Sequence, residues 1–263
     1  MIVKTEAIVL RSMKYGETSR ILTLYTRDFG RMSVIVKGAR SAKPKFGAAL
    51  DLMSHSAVVM YKKEHRELQL LTQADLLHQY RRVIDNADRL MYGFAILEFL
   101  SATVHGEEAH EELFEILHSS LEALNEEQAR PENILLHYLL RLSQALGIGL
   151  DAGSCVRCGL ALEEEDALRR TAHFSLSRGG FTCAHCPPPP DVMDCAVESV
   201  RDLQWIDRHE VGNIVTLAMS RRAAGESLNL LHRHLASHIP EMKAIKSLPM
   251  IDLFAVSDRD GKQ

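Results

Sequence analysis

Strand-length apolar runs fill the first part of the chain and give way near Asp75 to apolar positions at helical spacing. Glu6-Ala7-Ile8-Val9-Leu10-Arg11, Ile21-Leu22-Thr23-Leu24-Tyr25-Thr26 and Met32-Ser33-Val34-Ile35-Val36-Lys37 are rich in β-branched residues. Turn residues separate them at Tyr15-Gly16-Glu17 and Asp28-Phe29-Gly30-Arg31. Ser56 to Tyr61 and Leu68 to Leu71 supply two more such runs. Five short strands in roughly 75 residues predict a small barrel of the oligonucleotide-binding (OB) kind, and an SH3-like barrel reads much the same.

Helical periodicity follows. Arg89 to Val104 places Leu90, Phe94, Leu97 and Ser101 on one face, widened by Met91, Ala95 and Phe99. Glu111 to Asn125 carries a stripe of Leu113, Leu117, Leu121 and Leu124, with Glu112, Glu115 and Glu122 opposite as a solvated face. Pro131 suits a first helical position and Gly147 a C-terminal cap. The helix between them is apolar around most of its girth, so it should run through the centre of a bundle. Helical spacing returns at Ala196 to Ile206 and Leu228 to Ile239.

Two knuckles interrupt the helical part. Cys155-Val156-Arg157-Cys158-Gly159 and Thr182-Cys183-Ala184-His185-Cys186 are separated by a stretch, Phe174 to Phe181, that reads as a short hairpin. Paired C-x-x-C turns direct four thiolates at one tetrahedral centre, and Gly159 suits a positive φ after the first. Cys155, Cys158, Cys183 and Cys186 are therefore the expected ligands of a closed, structural zinc ion. His173, His185 and Cys195 are spare donors, and His234 and His238 lie one turn apart without an acidic partner. The resulting plan is α+β. It has an OB-fold domain over 1–78, a helical domain over 79–150 and 191–254, a zinc module over 151–190 and a disordered tail over 255–263. Pro187-Pro188-Pro189-Pro190 reads as a stiff spacer at the module's exit.

Charge adds an asymmetry hidden by the overall net of −4. Residues 1–75 hold 13 Lys and Arg against 7 Asp and Glu, whereas residues 76–154 hold 5 against 13. A basic barrel on an acidic body points to a polyanion partner. The basic residues Arg11, Lys14, Arg20, Arg27, Arg31, Lys37, Arg40, Lys43 and Lys45 cluster near turns and in one loop of little apolar content. Lys14, Arg20, Arg31, Lys37, Arg40, Lys43 and Lys45 are the expected phosphate contacts. Tyr15, Tyr25 and Phe46 are possible base-stacking partners, with Tyr25 better placed for the core. No apolar run reaches the length of a membrane span, and no secretion signal is visible, so a reducing cytoplasm is expected. No nucleophile–base pair, acidic dyad or phosphate-cradling glycine loop is present, which favours binding over catalysis. A zinc-dependent nucleic-acid hydrolase or deaminase is the competing reading, because His65-Arg66-Glu67 mimics a deaminase element, though neither knuckle follows a proline. A zinc-ribbon transcription-associated adaptor is another.

Several short stretches occur together in a fixed order. They are Tyr15-Gly16-Glu17 followed by Arg20-Ile21-Leu22-Thr23-Leu24, Thr26 with Gly30, and Val36-Lys37-Gly38-Ala39-Arg40. The first knuckle follows Leu146-Gly147-Ile148-Gly149-Leu150, the second follows Gly179-Gly180-Phe181, and Lys246-Ser247-Leu248-Pro249 lies near the end. In this order they resemble the RecO family of bacterial recombination-repair proteins across nearly the whole chain. One departure is that the loop after Arg40 has less basic-serine character than the family pattern. The resemblance implies a non-enzymatic protein with an N-terminal OB fold, a helical domain and an inserted zinc module. It implies binding of single- and double-stranded DNA, annealing of complementary strands, and partnership with RecR. It further implies contact with the acidic C-terminal tail of single-strand-binding protein and help in replacing that protein by RecA, in the nucleoid-associated cytoplasm.

Overall fold

The computed structural model describes residues 1–41, 46–151, 153–162, 171–215 and 217–251. Five strands, β1 (Ile2–Tyr15), β2 (Ser19–Thr26), β3 (Gly30–Val36), β4 (His55–Tyr61) and β5 (Leu68–His78), close a barrel in the order β1-β2-β3-β5-β4. All neighbours are antiparallel except β3 and β5, which run parallel. This OB-like barrel is the fold expected from the strand pattern. The fifth strand continues past Leu71 to His78, so helix begins later than Asp75. Leu76 and Leu77 are exposed there, and a half-exposed apolar run carries little strand signal.

Inside the barrel lie Val3, Ala7, Val9, Leu22, Leu24, Met32, Val34, Val36, Val58 and Met60. Successive residues of a strand point to opposite faces, so Ile8 and Tyr25 point outward as direct cross-strand partners. Both are nonetheless fully buried, because the helical domain covers that outer face. Tyr25 is therefore a core residue. Its hydroxyl donates to the His110 carbonyl at 3.4 Å, and burial pushes its pKa up to about 12. Phe46 is also buried, within the barrel core, which corrects its reading as a stacking partner.

The helical body begins with α1 (Arg81–Ile84), α2 (Ala87–Thr103), α3 (Glu111–Asn125) and α4 (Pro131–Ala145). The Asn86 side chain accepts from Arg89 N and so starts α2 two residues before the expected point. α2 buries Met91, Ala95, Ile96, Leu97, Phe99 and Leu100, so the predicted Leu97 and the widening Met91, Ala95 and Phe99 are in the core, while Leu90, Phe94 and Ser101 of the predicted line are only half-buried. α2 packs against several helices, so its apolar surface is too broad to have a sharp centre. α3 buries all four predicted leucines. α4 is buried over most of its surface, as its composition predicts, and its Asn133 amide donates to the Ile214 and Leu217 carbonyls.

Beyond α4, β6 (Thr171–Ser175), β7 (Gly180–Thr182) and β8 (Val192–Ala196) make a small sheet in the order β7-β6-β8. β8 was not expected. Its alternation, with Met193 and Cys195 buried and Val192 and Asp194 exposed, is short and hidden between the proline run and a helix. Helices α5 (Val197–Asp207), α6 (Val211–Ile214) and α7 (Arg221–His238) follow, and a 3-10 turn at Pro240–Ala244 comes after them. α7 starts seven residues before Leu228, capped by Ser220, because its first two turns bury only small residues such as Ala223 and Ala224. The Lys246-Ser247 segment is held by Glu98 of α2, whose carboxylate accepts from both backbone N–H groups and from the Ser247 hydroxyl at 2.8–2.9 Å. The tail over 255–263 lies outside the described residues.

Polar contacts fix the barrel on the helices. The turn at Gly30 abuts Glu108, and Arg31 N donates to the Gly106 carbonyl at 3.2 Å. Gly30 has φ +63°, and a Cβ there would meet the Glu108 carbonyl oxygen at 2.1 Å. Gly16 shares the left-handed conformation at φ +57° but faces open space. Gly16→Ala should therefore cost only the conformational penalty of about 1–2 kcal/mol. Gly30→Ala adds overpacking of about 1–3 kcal/mol against backbone that cannot yield. Urea unfolding should show Gly30→Ala clearly the more destabilised of the two, and equal losses would mean that this turn does not anchor the barrel.

Candidate metal centre and nucleic-acid interface

Backbone hydrogen bonds close the first knuckle, and the Asp151 carboxylate, accepting from Gly153 N and Ser154 N, leads into it. Gly159 N donates to the Cys155 carbonyl at 2.8 Å and Cys155 N to the Leu160 carbonyl at 2.7 Å, with Gly159 at φ +75° as its position requires. Val156 N donates to the Phe181 carbonyl at 2.9 Å, which lays this turn on β7 beside the second knuckle. Gly180 permits the approach, since a Cβ there would meet Val156 Cγ1 at 2.4 Å.

The result is the predicted cluster. The Sγ atoms of Cys155, Cys158, Cys183 and Cys186 all lie within 4.8 Å of one another. Cys158 and Cys183 are 3.7 Å apart, against about 3.8 Å for two thiolates on a tetrahedral zinc with bonds of about 2.3 Å. Burial pushes the Cys155 thiol up, but N–H groups of Cys183, Cys158 and Arg157 outweigh it and bring the pKa down to about 6. Cys186 is pushed up to about 12, by desolvation and by the neighbouring sulfurs. Without a cation the four sulfurs cannot all ionise together, and a divalent ion supplies the compensating charge. The donor set thus fits a metal ion and is consistent with zinc.

None of the spare donors joins this cluster. Cys195 is buried in β8 with its thiol towards the Ala172 carbonyl, and His173 pairs with Asp194 at 2.6 Å. His185 is exposed outside the group of four. His234 lies with Nδ1 2.9 Å from the Leu176 carbonyl and Nε2 2.7 Å from that of Ile148, so it stitches the module to α7. His65-Arg66-Glu67 lies in the β4–β5 loop of the barrel, apart from the cysteine ligands.

On the barrel, the structure separates the expected basic residues into two groups. Lys14 and Arg20 are cross-strand partners at the β1–β2 hairpin, and Arg20 pairs with Val36, next to Lys37. Arg40 joins them, its backbone N–H donating to the Thr18 carbonyl at 2.8 Å and its guanidinium to that of Gly16 at 3.3 Å. Arg20 also lies 3.6 Å from Asp51, a half-exposed pair that contributes little to stability. Arg31 is at the other end of β3. Its guanidinium points at the Ser101 and Val104 carbonyls, each at 3.4 Å, where it closes the C-terminus of α2. Lys43 and Lys45 lie outside the described residues.

A groove lies beside the first group. Ile35, Lys37, Tyr61, Lys63, Arg66 and Leu70 line it, with Tyr61 exposed at its rim. Gln69, buried at its base, accepts from Lys63 N and donates to the Lys63 and Arg66 carbonyls, so the β4–β5 loop is held in one shape. Lys63, Arg66 and Tyr61 were missed in the sequence because Glu64 and Glu67 mask the local basic charge. In OB barrels, the β2–β3 face with the β1–β2 and β4–β5 loops is the surface that takes oligonucleotides.

Two family models cover the chain: Recombination protein O N terminal matches residues 1–80 and Recombination protein O C terminal residues 85–249. The chain is 30% identical over 251 residues to the DNA repair protein RecO of Chloroherpeton thalassium, covering 94% of this chain and 96% of that one. It is 29% identical to the RecO of Pelodictyon phaeoclathratiforme over 264 residues, covering 95% and 98%, and 37% identical to that of Salinibacter ruber over 147 residues, 56% of each. The chain belongs to the RecO family of DNA repair proteins, whose names denote repair and no catalytic activity. No helix among the described residues is long and apolar enough to cross a membrane.

Replacing Cys155 and Cys158 together by Ser removes half of the donor set. Metal content by plasma emission spectrometry should fall by about one ion per chain, with a lower thermal midpoint, because binding a structural metal contributes directly to folding. Retention of the ion with unchanged melting would contradict the assignment of these ligands.

Proposed function

We propose that this RecO-family chain is a DNA-repair mediator that holds single- and double-stranded DNA along the β3 groove of its barrel and anneals complementary strands. The observation that carries this reading is the groove where Lys37, Lys63 and Arg66 gather around the exposed Tyr61, with Arg20 and Lys14 following on from Lys37 across the neighbouring strand ends. Lysine and arginine there neutralise phosphates and release condensed counterions, while Tyr61 offers a face on which a base stacks. Neutralising two strands on one surface permits annealing without covalent chemistry. Lys43 and Lys45 extend the same loop in sequence and are assigned the same role. Arg31, engaged by α2, is assigned to the domain seam.

The metal in this reading is zinc, closed by four thiolates and serving the fold of its module. Membership of the family motivates the partners: RecR, the acidic tail of single-strand-binding protein and, through them, RecA, acting at the nucleoid in the cytoplasm. Acidic residues dominate the helical body, which leaves the barrel as the surface suited to DNA.

Replacing Lys37, Arg40, Lys63 and Arg66 with Ala should weaken binding to single strands of any sequence and slow annealing, with or without single-strand-binding protein. If all four touch phosphate, the slope of log K against log salt flattens by about 2.8 on single strands. An unchanged affinity and salt slope would place the DNA elsewhere and overturn the reading.

A further inference from the structure

A second group of metal-ligating side chains lies far along the sequence from the cysteines, at the seam of barrel and helices. His55 opens β4, His78 ends β5 as its direct cross-strand partner, and His118 reaches them from α3. One ring nitrogen from each lies within 4.8 Å of the other two. The His55 and His118 ring centroids are 4.5 Å apart, and His78 lies 5.4 Å from the first and 5.6 Å from the second.

A hydrogen bond on His55 fixes which of its nitrogens is left free. His55 Nε2 is 3.0 Å from Glu6 Oε2, and since a carboxylate accepts, Nε2 carries the proton. His55 Nδ1 is then a bare lone pair. It is buried and has no hydrogen-bond partner, on a residue only 3% exposed. Such an orphaned acceptor in a protein interior calls for a ligand. His118 has a carboxylate near it as well, its Nδ1 3.5 Å from Glu122 Oε2 on the next turn of α3, at ion-pair distance. A carboxylate on the outer nitrogen is the arrangement that orients metal-bound histidines and raises their basicity. Phe114 walls the group on the apolar side. The nearby Arg27 is a cation over the Phe114 ring, but Glu6, Glu111 and Glu115 bind its guanidinium and compensate its charge.

We propose that His55, His78 and His118 form a binding site for a divalent transition ion of the zinc class, clasping two barrel strands to a helix. Three imidazoles suit zinc, cobalt or nickel over calcium or magnesium. The exposed His78 closes the remaining distance to about 3.3 Å between ligand nitrogens, expected for bonds of 2.0–2.1 Å at a tetrahedral centre. A fourth position stays open to water, unlike the closed cysteine site. The inference is independent of the DNA-binding reading, since it rests on the seam.

Titration of the zinc-loaded full chain with cobalt(II) tests it. One further ion per chain should bind, giving visible ligand-field bands without thiolate-to-cobalt charge transfer. The thermal midpoint should rise with cobalt, because only the folded chain assembles the site. His78→Asn and His118→Asn, at exposed and half-buried positions that the fold tolerates, should each weaken this binding at least tenfold and abolish the shift in midpoint. Their cysteine-bound zinc should remain. Absence of the extra ion, or binding that both variants leave unchanged, would overturn the proposal.

Discussion

The barrel's β1–β2 surface is buried on both sides, and the orientation of the molecule depends on that constraint. Ala7 and Val9 point into the barrel while Ile8, between them, joins Tyr25 in the core of the helical body. Truncating a buried aromatic side chain costs about 3–5 kcal/mol, a large share of the stability of an ordinary domain. The surrounding exposed ion pairs, Lys62 with Glu107 and Arg27 with Glu111, contribute far less each. Apolar burial therefore holds the seam, and the polar contacts fix its register. An isolated barrel would expose Ile8, Leu10, Tyr25 and Met53, so its stability depends on the helices that cover them.

Because this face is covered, the barrel's opposite features remain available. Lys37, Lys63 and Arg66 gather at the groove, while Lys62 of the same β4–β5 loop turns to Glu107 at the seam. Arg31 illustrates the division. It lies on the same strand as Ile35 but at the covered end, where α2 carbonyls take its guanidinium. Position along one strand thus decides whether a basic residue serves the seam or the groove.

Much of this was legible in the sequence because it is written in local patterns. The five strands, the leucine stripe of α3, the buried girth of α4 and the knuckles each follow from spacing within a few residues. What escaped was set by distant partners. The continuous apolar run from Ala7 to Leu10 signals burial on both faces, yet nothing local says which helices supply the second cover. β8 is too short to announce itself, and its pairing with β6 is visible only when the sheet is assembled. The same holds for the groove, where Lys37 and Lys63 meet across strands, and for Glu115, which reads as solvated but binds Arg27.

The central claim is that a nucleic-acid strand follows the β3 groove between the two loops. Photocrosslinking of halogenated single-stranded DNA to the full chain, with the modified peptides located by mass spectrometry, tests it most directly. The account predicts crosslinks at Tyr61 and on the segments carrying Lys37 and Lys63, lost when salt displaces the strand. Crosslinks confined to the helical body, with none on the barrel, would contradict it.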